Sequence, residues 1–200
     1  MPLAEYYARV LATDVSAKQI ANATPHPRVE YRTAPAEVSG LPDHSADLVT
    51  VAQAAHWFDL PAFYQEVKRV LAPGGALVLW TYATSTVDGD AVQAGFHHWH
   101  ATQVHEYWPP ERHWVDELYQ TLPFPFHEVA APPLELTADW DLREFLGYLD
   151  TWSAVSQYKK QRGRDPVPDA AAALGGAWGD PATRRTVRWP LGVRIGYDRG

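Results

Sequence analysis

The chain has 200 residues with 17 basic and 24 acidic side chains, a formal charge of −7, and no cysteine. That length suits one domain with a core of ordinary size, and the acidic balance argues against a protein built to grip a nucleic-acid backbone. Disulfides, thiolate catalysis and cysteine-ligated zinc are excluded. No apolar run nears the roughly 18 residues of a membrane span and no signal peptide is visible, so a cytoplasmic location with no membrane partner is expected. Nine tryptophans and ten tyrosines exceed what such a core needs and suggest an aromatic-lined site.

In chain order, Pro2–Ala8 reads as the last turns of a helix and Arg9–Asp14 (RVLATD) as a short apolar strand. Ser16 can cap a short helix that Pro25 and Pro27 end. Val29–Ala34 reads as a second strand. Asp47–Ala52 is a third, apolar enough to be covered on both faces as in a parallel sheet. Asp59 then caps a helix whose Leu60, Phe63, Tyr64, Val67, Val70 and Leu71 form one apolar stripe. A turn at Pro73-Gly74-Gly75 ends it, and Ala76–Tyr82 is a fourth strand. This alternation predicts right-handed crossovers and a doubly wound, mostly parallel α/β sheet.

After Tyr82 the pattern changes. Residues 88–122 read as helical and rich in His and Trp. His127–Leu136 reads as a strand broken by two prolines and therefore near an edge. Residues 138–180 are helical, and Thr186–Tyr197 alternates as a final strand. The late strand, helical excursion and last strand predict an antiparallel pair added to the sheet, with the inserted helices as a cap. Three segments follow: 1–87 as a nucleotide-binding core, 88–126 as a helical cap, and 127–200 as a strand pair with its helical insertion.

In open α/β sheets ligands lie outside the carboxyl ends of the strands. Those ends are Asp14 after the first visible strand, Ala36 and Glu37 after the second, and Gln53 to Trp57 after the third. A fixed carboxylate such as Asp14 can accept two hydrogen bonds from a ribose diol. Ala36 offers backbone groups and Glu37 a carboxylate for the edge of an adenine. Gln53 and His56 would face the transferred group.

The ordered set VLATDVSAKQIANA, APAEVSGLPDHSADLVTVAQAAHWFD and FYQEVKRVLAPGGALVLWTY resembles the class I S-adenosylmethionine-dependent methyltransferases. Within them it is similar to the type 11 small-molecule branch that includes trans-aconitate methyltransferase-like proteins. The resemblance is close over residues 9–82 and looser through GYLDTWSAVSQY and VRWPLGVRIGY. It implies a Rossmann-like fold, S-adenosylmethionine as methyl donor, and a cap that recognises a small-molecule acceptor. It also implies that Asp14 binds the cofactor ribose, Ala36 and Glu37 the adenine, and Gln53 the methionine side. His56 and Trp57 would wall the transfer site. Trp99, Tyr107, Trp108, Trp152, Ser153 and Tyr158 are the cap residues placed near the substrate.

The acceptor is expected to be an oxygen. Relatives that methylate amide nitrogens in proteins or nucleic acids carry an Asn/Asp-Pro-Pro-aromatic turn where this chain has QAAHW. Methyl transfer from a sulfonium is in-line displacement, and the protein mainly positions and desolvates the acceptor. A carboxylate needs no base; a hydroxyl would, and His56 is then the catalytic candidate. The stretch FHHWHATQVHEYWPPERHW places His98 and His105 on one helical face and His97 and His100 on another. Zinc usually wants three or four convergent ligands, so no metal site is expected.

The resemblance also implies an acidic-x-Gly-x-Gly turn after a strand that comes before Arg9, yet the first glycine is Gly40. The first strand and its glycine turn are therefore expected to be missing and the chain to be N-terminally truncated, with its activity in question. Two other readings remain. One is a non-catalytic remnant acting as an interaction or scaffold domain through its exposed strands. The other is a nicotinamide-dependent dehydrogenase, which the order APAE…LPD…HWF…LAPGG disfavours.

Overall fold

The computed structural model describes residues 3–198. Its first half runs α1 (Leu3–Tyr6), β1 (Val10–Asp14), α2 (Ala17–Ala21), β2 (Val29–Thr33), β3 (Ala46–Ala52), α3 (Leu60–Val70), β4 (Leu71–Tyr82), β5 (Thr86–Val87) and α4 (Asp90–Trp99). The second half runs α5 (Arg112–Asp116), β6 (His127–Val129), β7 (Leu136–Trp140), α6 (Leu142–Asp150), α7 (Ser153–Arg162), α8 (Val167–Trp178), β8 (Arg185–Trp189) and β9 (Leu191–Tyr197). Two compact units result. The first takes Met1–Leu79, Pro123–Ala130 and Arg194–Gly200; the second takes Trp80–Leu122 and Ala131–Val193.

In the first unit the βαβ rhythm read from the sequence is present. The Ser16 hydroxyl accepts from the Gln19 amide at 3.3 Å and opens α2. β1 and β2 pair in parallel, from Val10 opposite Val29 to Asp14 opposite Thr33. Asp59 caps α3 by accepting from the Ala62 amide at 3.3 Å. Leu60, Phe63, Tyr64, Val67 and Val70 of α3 are buried, which contributes about 1.5–3 kcal/mol for each large apolar side chain. A four-stranded sheet has the order β3-β4-β9-β6. The antiparallel pair expected from the tail is present, with His127 opposite Tyr197 and Val129 opposite Ile195. β1 and β3 belong to different sheets.

Prolines explain where the elements differ from the sequence reading. The expected turn at Pro73-Gly74-Gly75 lies inside β4, which starts at Leu71 as soon as α3 ends. Leu71 is already extended, with φ −65° and ψ 128°, and the Pro73 ring keeps Ala72, the residue before it, out of the helical region. Gly74 takes φ +83°, and a Cβ on Gly75 would stand 3.0 Å from the Ala46 carbonyl oxygen, so two glycines let the strand bend closely past β3. The single last strand is two, β8 and β9, separated at Pro190 and lying in different sheets. His127–Leu136 likewise divides into β6 and β7 on either side of Pro132 and Pro133. A proline has no N–H for a ladder, and each break lets the chain change sheets. The helix read over Pro2–Ala8 is α1, which ends at Tyr6; Pro2 lies outside the described residues.

The second unit holds a three-stranded antiparallel sheet, β5-β8-β7, that the sequence reading did not foresee. β7 and β8 pair from Leu136 opposite Trp189 to Trp140 opposite Arg185. Helices α4, α6, α7 and α8 surround a core in which Phe96, Trp99, Phe145, Leu149, Leu174 and Trp178 are almost wholly buried. A reciprocal cap starts α6: Asp141 accepts from the Glu144 amide at 2.8 Å, and Glu144 accepts from the Asp141 amide at 3.0 Å, an arrangement that satisfies two orphan donors. α4 continues into a π-helical turn, His100–Val104, and then a 3-10 turn, His105–Tyr107. Among the described residues no helix is long and apolar enough to cross a membrane.

Candidate functional site

The carboxyl ends of three strands carry the residues expected at a nucleotide. Asp14, the last residue of β1, is exposed, and its Oδ1 accepts from the Ser16 amide at 2.7 Å. This local turn fixes the carboxylate, and no described donor reaches its second oxygen. The Ala34 amide donates to the Asp14 carbonyl at 3.1 Å, holding the end of β2 beside the end of β1. Ala36 and Glu37 follow in a turn.

Glu37 is the crosslink. Its Oε1 accepts from the Asp59 amide at 3.0 Å, joining the loop after β2 to the cap of α3. Gln53, just past β3, has φ +53°, a left-handed conformation that costs a residue with a side chain on the order of 1–3 kcal/mol. Such a cost persists where the surroundings enforce it, often at ligand sites. His56 is buried in the 3-10 turn Ala55–Trp57, with its ring centroid 4.7 Å from that of Trp57. Trp57 itself is 55% exposed. Val15 and Val38, the residues after Asp14 and Glu37, are 74% and 64% exposed. Apolar side chains so open beside carboxylates suit the faces of a purine base.

The cap residues separate into groups in the second unit. Trp108 and Trp152 lie together, ring centroids 5.3 Å apart. Trp99 is buried behind them, 6.1 Å from Trp152, with its Nε1 donating to the Pro166 carbonyl at 3.0 Å. Tyr107 and Tyr158 pair elsewhere at 4.9 Å; Arg162 donates to the Tyr107 hydroxyl at 2.5 Å and Arg164 to that of Tyr158 at 2.9 Å. Ser153 is exposed at the start of α7.

The structure adds three polar groups around Trp108 and Trp152 that the sequence reading did not single out for this role. His100 accepts from Trp108 Nε1 at 3.1 Å through its Nε2. Arg112 lies 4.1 Å over the Trp108 ring. Tyr148 accepts from Trp189 Nε1 at 2.7 Å and stands edge-on to Trp152 at 5.7 Å. Burial holds His100 down to about 4, helped by the nearby His105 and Arg112. Burial also raises the Tyr148 hydroxyl, against the pull of the Trp189 and Trp152 indoles. Among the described residues no three His, Asp or Glu side chains converge.

A Rossmann-like α/β unit with acidic and apolar groups at its strand ends defines a nucleotide-binding class of fold. Comparison with known proteins narrows that class. The family described as "Methyltransferase domain" matches residues 1–79. A solved structure from Anaeromyxobacter dehalogenans, reported as a candidate type II methyltransferase, is 46% identical; it covers 97% of this chain and 82% of that one, with TM-score 0.87. A candidate methyltransferase from Dictyostelium discoideum is 36% identical over 174 residues, which are 86% of this chain. The chain spans 66% of the length of that curated relative. A more distant solved structure from Anabaena variabilis, 20% identical with TM-score 0.56, shares the fold. The chain therefore belongs to the methyltransferase family, whose members take the methyl group from S-adenosylmethionine.

Proposed function

We propose that the chain serves S-adenosylmethionine-dependent methyl transfer to a small-molecule acceptor, on a carboxylate or hydroxyl oxygen. The observation that carries this reading is the bond from the Asp59 amide to Glu37. With the Ala34 to Asp14 bond, it ties the ends of β1 and β2 and the cap of α3 into one edge. The residues fit the nucleoside half of the cofactor. Asp14 has a carboxylate oxygen for the ribose diol, Glu37 and the Ala36 backbone meet the adenine edge, and Val15 and Val38 offer apolar cover. Gln53 is assigned to the methionine side.

The bound cofactor supplies a methyl group on a sulfonium, an already activated carbon. What remains for this chain is to hold the acceptor in line and exclude water. His56 and Trp57 wall that position, and His56 takes up the proton only if the acceptor is a hydroxyl. Segment 1–87 is thus assigned to the cofactor, and 88–126 with the helical part of 127–200 to the acceptor.

Transfer from methyl-radiolabelled S-adenosylmethionine to a panel of small organic acids and alcohols tests the reading. Label in a base-labile ester is expected for a carboxylate, and base-stable label for a hydroxyl. Label found only in protein or nucleic acid would contradict a small-molecule acceptor.

A further inference from the structure

Three hydrogen-bond donors surround the Trp108 and Trp152 indoles of the second unit and have no acceptor among the described residues. Arg112 spends Nε on Asp116 at 2.8 Å and Nη2 on the Thr84 hydroxyl at 3.0 Å; its Nη1 has no protein partner. Tyr148 receives an indole N–H from Trp189 and the pull of a second from Trp152, and its own O–H hydrogen is not donated. His100 accepts through Nε2, so its neutral ring carries the proton on Nδ1, which also has no partner. His100 and Tyr148 stand 5.6 and 5.7 Å from the Trp152 ring, and Arg112 lies over the Trp108 ring, itself 5.3 Å from Trp152, so the three groups share one neighbourhood.

The chemistry of this neighbourhood is one-sided. Its spare groups all donate and its walls are neutral aromatic rings. Its cation is mostly buried, with 13% of the Arg112 side chain exposed, while the Asp116 side chain that pairs with it is 51% exposed and correspondingly screened. The ligand that answers these three donors, one of them a guanidinium nitrogen, is a carboxylate, which only accepts and whose bond to the charged Nη1 is charge-assisted. Flat indole faces suit a planar body. His100 opens the π-helical turn, a departure from the α-helix that is common at functional sites.

We propose that Arg112, Tyr148 and His100 bind the carboxylate of a small planar acid, with Trp108 and Trp152 against its body. That the acid is the methyl acceptor rests on the methyl-transfer reading above; its binding does not. The probes are benzoate, trans-cinnamate and 2-naphthoate, each beside its neutral amide, titrated calorimetrically into the full chain at pH 7. At least one acid is expected to bind, with its amide weaker by about tenfold or more, as loss of a charge-assisted pair predicts. Arg112→Gln is expected to lose about tenfold and Tyr148→Phe about threefold, while Arg112→Lys fails to restore binding because it lacks the planar fork. Equal affinity for acid and amide, or no binding by any of the three acids, would overturn the site. If Arg112→Gln does not fold, the wild-type acid and amide comparison and Tyr148→Phe still decide. A parallel wild-type titration with S-adenosylhomocysteine separates the two readings. Acid binding without cofactor binding leaves this site standing and contradicts methyl transfer; the converse overturns this site alone.

Discussion

Trp189 on β8 donates its indole N–H to the hydroxyl of Tyr148 on α6 at 2.7 Å, so a strand and a helix of the second unit share one half-buried polar contact. Tyr148→Phe removes the acceptor and leaves a half-buried N–H without a partner, a loss of about 1–3 kcal/mol. Trp189→Phe removes the donor and a large part of the packing. Urea denaturation of the two single variants and the double variant should show that the losses do not add, with the double variant more stable than their sum.

His100 is held down to about 4 by burial. The folded value lies below the ordinary 6.5, so between those two pH values the unfolded chain binds a proton that the folded chain does not. Stability therefore falls as pH drops from about 6.5 to about 4 from this group alone. An NMR titration of the imidazole signals should find one histidine that stays neutral at pH 5, and Trp108→Phe should shift it.

Glu66 behaves in the opposite sense. Arg69, with help from Ser39, holds its carboxyl at about 2; Arg69 reaches Glu66 through Nη2 at 2.8 Å and Ser39 through its amide at 2.8 Å. The folded value is depressed, so its contribution is fully present above the ordinary value of 4.5 and is lost as pH falls toward 2. For this mostly buried side chain it amounts to on the order of 2 kcal/mol. Denaturation midpoints from pH 6 to pH 2.5 should fall more steeply for the wild type than for Glu66→Gln.

Two glycines should respond oppositely to alanine. A Cβ on Gly192 would press on the Leu118 carbonyl and lie 2.7 Å from the Leu118 Cβ, so Gly192→Ala should cost about 1–3 kcal/mol. Gly147 is within α6 and a Cβ there meets nothing within 4 Å, so Gly147→Ala should stabilise by about 0.5–1 kcal/mol. Thermal melting of both variants checks the pair.

Local rules made much of the first unit legible. The Ser16 and Asp59 caps, the α3 stripe and the strand ends at Asp14 and Gln53 all depend on neighbours within a few residues. What was not legible depended on distant ones. Pro190 breaks the last strand, but nothing near it says that β8 will join β5 and β7. Arg112 and Tyr148 are 36 positions apart, with nothing in their own spacing to link them. Their shared surroundings exist only once α5, α6 and β8 have packed around Trp152. Glu37 was assigned to a ligand from its position, and its second task, holding the α3 cap, came from the structure.

The central claim is that the edge formed by Asp14 and Glu37 binds the nucleoside of the cofactor. Calorimetric titration of the full chain with S-adenosylhomocysteine tests it most directly, with Asp14→Ala and Glu37→Gln beside the wild type. Micromolar binding by the wild type is predicted, weakened about tenfold or more by Asp14→Ala through loss of a charged hydrogen-bond acceptor, and less by Glu37→Gln, whose amide oxygen can keep the Asp59 contact. No binding by the wild type, or equal binding by wild type and Asp14→Ala, would contradict the claim.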